Sequence, residues 1–138
     1  MHKYIFVVLV LSLMGCSPAL HPLYLDYEYS PKDTIPFYQI ESALQEAGWS
    51  IATSPSDNSV TTADREIQNW LLYRIVVYVE VIPIGPQHIR LLVHPYRVYF
   101  TGSRSKIPFL KPGIHRKVIR KINHVFESYN IVEVGRDV

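Results

Sequence analysis

The fold is decided by residues 71–93, which read LLYRIVVYVEVIPIGPQHIRLLV. Apolar side chains recur at every second position of residues 73–81, so an extended chain has one apolar face, while its other face mixes polar and apolar residues. Residues 83–87 contain two prolines and a glycine and predict a hairpin connection, after which residues 88–93 resume the alternation. The segment therefore predicts two antiparallel strands that cover a core with one face.

An amphipathic helix is predicted on either side of this hairpin. Residues 37–47 carry apolar side chains at helical spacing. Asp33 or Thr34 can cap the start of this helix, and Gly48 is suited to end it. Residues 112–113 open the second helix. Its apolar stripe consists of Ile114, Val118, Ile122, Val125, Phe126 and Tyr129.

The remaining segments complete the predicted order. Residues 49–53 and 60–67 predict short strands, and residues 102–112 predict a basic loop. Pro95 should bulge or interrupt its strand, which limits it to an edge or a kink, because proline cannot donate a backbone hydrogen bond. Residues 131–134 predict a short closing strand or a frayed tail. Together these elements predict an α+β domain with two helices on one face of a three- to four-stranded antiparallel sheet, in the order α-β-β-β-β-α.

The first sixteen residues have a different character. Lys3 is positively charged, residues 5–13 are apolar except for Ser12, and Gly15 and Cys16 follow. The apolar run is too short to span a hydrocarbon core, which needs about 20 residues, and it fits a removable export signal. The pattern resembles the lipobox signal peptide of bacterial lipoproteins, which implies that Cys16 is acylated and becomes the first mature residue.

This resemblance implies a cellular location for the protein and a division of the chain into three segments. Residues 1–15 would be the signal peptide, residues 16–32 the lipidated cysteine with a proline-containing extended tether, and residues 33–138 a single domain. Lipoproteins carry two or three acyl chains, palmitate among them, and such chains hold a protein stably to a membrane. Ser17 stands where an aspartate would favour the inner membrane. We therefore expect an exported protein anchored to the outer membrane, with its domain in the periplasm.

Charge is unevenly distributed along the chain. Residues 26–66 contain eight acidic and two basic side chains, whereas residues 74–121 contain ten Lys and Arg and only one acid. The basic half predicts contact with an anionic surface, and the alternatives are a solvated helix face or mutual neutralisation of the two halves in the fold. Nucleic acid is excluded as a partner by the export signal. The candidate contacts are Arg104, Lys106, Lys111, Arg116, Lys117, Arg120 and Lys121.

Catalytic and metal-binding patterns are absent from the sequence. His88 and His94 would lie about 20 Å apart on an extended strand, and His115 and His124 would lie near opposite faces of a helix. The sequence contains no HExxH, CxxC or G-x-S-x-G motif. We therefore expect no metal site, no cofactor and no enzymatic activity, although an enzyme remains the third hypothesis behind two kinds of binding protein.

Residues 42–51, 60–62 and 73–77 carry a second resemblance. A helix that ends in Gly-Trp, a Val-Thr-Thr strand and a Tyr-Arg strand resemble the domains of BamC-like outer-membrane lipoproteins. That resemblance implies a helix-grip-like fold and an accessory, non-enzymatic role in outer-membrane assembly or maintenance, with an envelope protein as partner. The paired helices also resemble lipopolysaccharide-assembly lipoproteins, which implies the alternative of an anionic glycolipid- or lipid-binding module.

Overall fold

The computed structural model of the chain describes residues 22–30, 37–52 and 59–135. The predicted signal peptide, Cys16, the predicted helix caps Asp33 and Thr34 and residues 53–58 lie outside these ranges. Two helices are present, α1 (Phe37–Glu46) and α2 (Pro112–Ser128). The strands are β1 (Tyr24–Tyr29), β2 (Val60–Thr61), β3 (Arg65–Asn69), β4 (Tyr73–Gly85), β5 (His88–Tyr99), β6 (Arg104–Lys106) and β7 (Ile131–Glu133).

All seven strands belong to one antiparallel sheet built around the long β4–β5 hairpin. β2 and β3 pair with successive parts of the outer edge of β4. β1 and β6 likewise share the outer edge of β5, and β7 pairs with the far side of β1. The α+β class is confirmed, but the predicted count of three to four strands and the α-β-β-β-β-α order are wrong.

The predicted hairpin is confirmed, with a shorter turn than expected. β4 continues to Gly85, and only Pro86 and Gln87 separate it from β5. The predicted interruption at Pro95 is wrong, because β5 passes through it without a break. Val93 N–H donates to Leu23 O at 2.8 Å, so the nitrogen of Pro95 faces the same edge, where β1 has ended and β6 has not begun. No strand there requires the missing N–H group.

Two segments form strands that the sequence analysis did not assign, and a third forms a strand that it gave as one of two alternatives. Residues 24–29, placed in the predicted tether, form β1 between β5 and β7, and Tyr27 on β1 is buried. Residues 104–106 of the predicted basic loop form β6. Residues 131–133 form β7, which settles the choice between strand and frayed tail. Of the predicted strand at residues 49–53, the described residues 49–52 contribute a single bridge, from Ile51 to Thr62.

The core lies between one face of the sheet and the two helices. The alternate residues of the hairpin that were predicted to face inward are buried, except Tyr73, which is partly buried. Ile40 and Leu44 of α1 and Ile122 and Phe126 of α2 are buried against them. α1 is followed by Gly48, whose φ of +96° explains why a glycine occupies this position. The apolar stripes therefore hold both helices against a single core.

A buried polar link ties α2 to both strands beside it. The hydroxyl of Tyr27 donates to Oδ1 of Asn123, and Nδ2 of Asn123 donates to Oε2 of Glu133 at 3.1 Å. Tyr27 lies on β1, Asn123 on α2 and Glu133 on β7. Because buried polar groups are stable only when they are hydrogen-bonded, this link fixes how α2 sits on the sheet.

Candidate functional site

The structure separates the seven predicted anionic contacts into three places. Arg104 and Lys106 lie on β6, and Lys111 directly precedes α2. The other four are exposed side chains of α2, namely Arg116, Lys117, Arg120 and Lys121. The seven predicted contacts therefore comprise a cluster of four cations on α2 and three separate cations elsewhere.

A groove of about 1370 Å³ runs between α2 and the strands β1 and β7. Its helical wall carries all four of the α2 cations, which are Arg116, Lys117, Arg120 and Lys121. Its other wall is built largely from strand residues, including Leu25, Asp26, Glu133 and Val134. Arg104, Lys106 and Lys111 do not line it. The groove thus combines a cationic helix face with apolar and polar groups from the sheet.

Helical periodicity places these cations on one side of α2. At 100° per residue, the four positions from Arg116 to Lys121 occupy an arc of about 140°. The buried side of the same helix carries Val118, Ile122 and Val125. Burial of that apolar stripe against the core forces the basic arc outward.

Ion pairs on the sheet join the acidic first half of the chain to its basic second half. Arg104 Nη1 lies 2.9 Å from Oδ2 of Asp64, and Arg74 Nη1 lies 3.9 Å from Oε2 of Glu66. These contacts support the expectation that the two halves neutralise each other, but only on the sheet. Within residues 22–30, 37–52 and 59–135, no ion pair involves an α2 cation.

Three carboxylates border the groove, and two of them are engaged. Asp26 accepts hydrogen bonds from Arg90 at 2.7 and 3.1 Å, and this contact lowers the pKa of Asp26. Glu133 accepts the hydrogen bond from Asn123. Glu127 is exposed near the end of α2. Because Asp26 already has a cationic partner, the positive charge of the helical wall exceeds the negative charge of the remaining carboxylates in the groove.

The sheet face away from the helices carries a stacked aromatic group. The ring of Tyr78 lies 4.4 Å from that of His94 and 6.0 Å from that of Tyr96. His94 Nε2 is 3.6 Å from Oε1 of Glu80 and has no hydrogen-bond partner in the described residues. Burial lowers the pKa of His94, and the carboxylate of Glu80 opposes that shift. The imidazole is therefore neutral at pH 7 and acts as part of the packed face.

The described residues offer no metal centre. No cluster of three or more His, Cys, Asp or Glu side chains within them is arranged to hold an ion. His88 and His94 lie near separate carboxylates, with Nε2 of each 4.0 Å from Oε2 of Glu28 and 3.6 Å from Oε1 of Glu80, respectively.

One exposed surface was missed by the sequence analysis. Trp70, Leu71 and Leu72 form the turn between β3 and β4, and Phe100 follows β5 beside them. The available signal was a Trp-Leu-Leu run that directly follows a polar Gln-Asn pair, where β3 ends.

Neither α1 nor α2 combines the length and apolar character needed to cross a bilayer. Comparison with models of protein families, with curated proteins and with solved structures gives no match to the chain. The function of the chain is therefore inferred from its groove, its surface charges and its sequence signals.

Proposed function

We propose that this chain is a lipid-anchored protein of the bacterial outer membrane that acts by binding an anionic glycolipid or related lipid, in support of outer-membrane assembly or maintenance. The observation that carries the proposal is the row of α2 cations along the groove, none of which forms an ion pair within the described part of the chain. A phosphorylated lipid presents negative charge and acyl chains together. The groove offers cations beside apolar residues such as Leu25 and Ile119, which suits both parts of such a ligand.

Removing two groove cations is expected to weaken this binding. In a titration of the full chain in detergent with lipid A, Arg116→Gln with Arg120→Gln should raise the Kd about tenfold or more, since charge-assisted contacts contribute about 1.5–3 kcal/mol each when desolvated. Binding should also weaken as salt is added, because the contacts are electrostatic.

The matched control removes two cations outside the groove. Lys106→Gln with Lys111→Gln changes the net charge equally, and it should leave the Kd within about twofold if the groove is the site. Equal weakening by both pairs would mean that net charge, and not the groove, governs binding.

The lipid anchor is tested by intact mass of the chain from membrane fractions. The wild-type chain should begin at Cys16 and carry the mass of two or three acyl chains, whereas Cys16→Ala should abolish both cleavage and acylation. An unmodified wild-type chain would remove the anchor from the proposal and leave the groove titration unaffected.

An accessory role through a protein partner is the second candidate, in line with the BamC-like resemblance and its helix-grip-like architecture. The outer edge of β7 supports it, because β7 pairs only with β1 among the described strands, and Val132 and Val134 are exposed there. An open strand edge accepts an added strand from a partner. A chain that binds no lipid A in the titration would favour this second function.

A further inference from the structure

Two neighbouring turns form an apolar tip at one end of the sheet. The β3–β4 turn contributes Trp70, Leu71 and Leu72, and the β5–β6 turn contributes Phe100. Their exposed fractions are 57%, 101%, 66% and 80%, respectively. Single exposed apolar residues are ordinary, but four large ones side by side mark an interaction surface.

Backbone hydrogen bonds hold the apolar tip in place. Trp70 N–H donates to Tyr73 O at 2.8 Å, which closes the first turn. Phe100 N–H donates to Leu72 O at 3.2 Å and joins the second turn to the first. The rings of Tyr73 and Tyr99 lie 6.1 Å apart directly behind. The sheet therefore presents these side chains outward on an ordered base.

Arginines stand just behind the apolar tip. Arg74 and Arg97 are one and two residues inside the ends of β4 and β5, about 3–7 Å along the strands. Arg97 lies over the ring of Tyr73, with Cζ 5.7 Å from the ring centroid. Apolar and aromatic side chains at a tip, with cations one layer behind them, match the order of acyl chains and headgroups in a bilayer.

β1 begins on the side of the sheet that faces the apolar tip. β1 is antiparallel to β5, so the chain before Tyr24 leads toward the end of β5 that carries the apolar tip. Leu23 lies beside Val93, six residues and about 20 Å of strand from Tyr99. Cys16 precedes Leu23 by seven residues, a reach of at most about 24 Å. A bilayer that holds an acylated Cys16 is therefore within reach of the tip.

We propose that the apolar tip of Trp70, Leu71, Leu72 and Phe100 inserts into the surface of the bilayer and gives the domain a second membrane contact. This inference builds on the lipid anchor in the proposed function and is independent of the groove. Two contacts fix the orientation of a domain in a way that one anchor cannot. They hold the long axis of the β4–β5 hairpin upright on the membrane.

Tryptophan fluorescence tests the insertion directly, because the chain has two tryptophans and only one is exposed. Trp49 is 3% exposed in the core, whereas Trp70 is in the tip. The full chain from membranes is reconstituted in vesicles of phosphatidylethanolamine and phosphatidylglycerol, with bromine at a shallow position on the acyl chains. The wild-type chain should lose most of its Trp70 emission relative to unbrominated vesicles, and Trp70→Phe should remove that loss.

A charge introduced at the tip should abolish the effect while Trp70 remains in place. Leu71→Asp is expected to remove the bromine-dependent quenching, whereas Val132→Asp, at a residue that is 56% exposed on β7, should retain it. Quenching that is equal in wild type and Trp70→Phe would overturn the proposal. So would a blue shift of Trp70 emission without bromine-dependent quenching, because that result places Trp70 against another copy of the chain and not in the lipid. Neither outcome alters the lipid A titration or the intact mass.

Discussion

Replacing Phe126 with alanine is expected to lower the free energy of unfolding by about 3–5 kcal/mol. Phe126 is fully buried on α2 and meets the ring of Tyr27 edge to face, with centroids 5.1 Å apart. Truncation removes a large apolar side chain and leaves a cavity between helix and sheet that close packing cannot fill. The measurement is urea unfolding of the full chain in detergent, followed by circular dichroism.

Phe100→Ala provides the matched control, since it makes the same chemical change at a residue that is 80% exposed. Its unfolding free energy should stay within about 0.5 kcal/mol of wild type, as is usual for surface changes. Similar losses in the two variants would contradict the placement of α2 against the sheet.

Replacing Tyr27 with alanine should cost a comparable amount, about 3–5 kcal/mol. Tyr27 is 1% exposed, packs on Phe126 and donates its hydroxyl hydrogen bond to Asn123. Its loss therefore combines an apolar cavity with a buried amide that has lost a partner. The same unfolding measurement tests whether residues 24–29 are part of the domain and not an independent tether.

Tyr24→Ala is the matched control, because Tyr24 lies on the same strand with its side chain 46% exposed. It makes the same substitution in β1, and so changes strand propensity equally, without removing a buried side chain. Its ring contacts the guanidinium of Arg90, so its loss should cost no more than about 1 kcal/mol. If both tyrosine variants unfolded like wild type, β1 would not be an integral strand. Because Tyr27 and Phe126 touch, their two costs should not simply add.

The central hairpin could be predicted because the alternation of apolar residues in its sequence matches the burial of one face of its strands. Residues 73–81 alternate, and their inward face is buried in the structure. The same agreement holds for α2, where the apolar stripe, the initial proline and the exposed cations all indicate one helix. The cationic part of the candidate site was predictable for that reason, since periodicity alone places Arg116 and Arg120 on one exposed side.

The short strands could not be predicted because tertiary pairing forms them. Residues 104–106 read Arg-Ser-Lys and have no apolar period, so β6 exists only because β5 offers an edge. Residues 24–29 do alternate, but prolines on either side favoured an extended tether. Pro95 was misjudged because the consequence of a missing N–H group depends on which neighbour it faces, and that neighbour comes from residues far away in sequence.

The groove and the apolar tip could not be predicted from the sequence either, because each is formed by segments that only the fold brings together. The second wall of the groove comes from β1 and β7, which begin more than one hundred residues apart. The tip joins Leu72 and Phe100 through the hydrogen bond between two turns. The periodicity of a short segment contains no information on its pairing with distant segments. The sequence therefore predicted only the helical wall of the groove.

The place of β1 in the sheet has a consequence for the chain before it folds. The partners of β1 are far away in sequence: Arg90, which binds Asp26, comes 64 residues later, and Asn123, which binds Tyr27, comes 96 residues later. Such distant pairing is slow and leaves an unpaired strand open to aggregation in the meantime. Asp26 and Glu28 place negative charge between the apolar residues of β1, and such charges oppose aggregation of the unpaired strand.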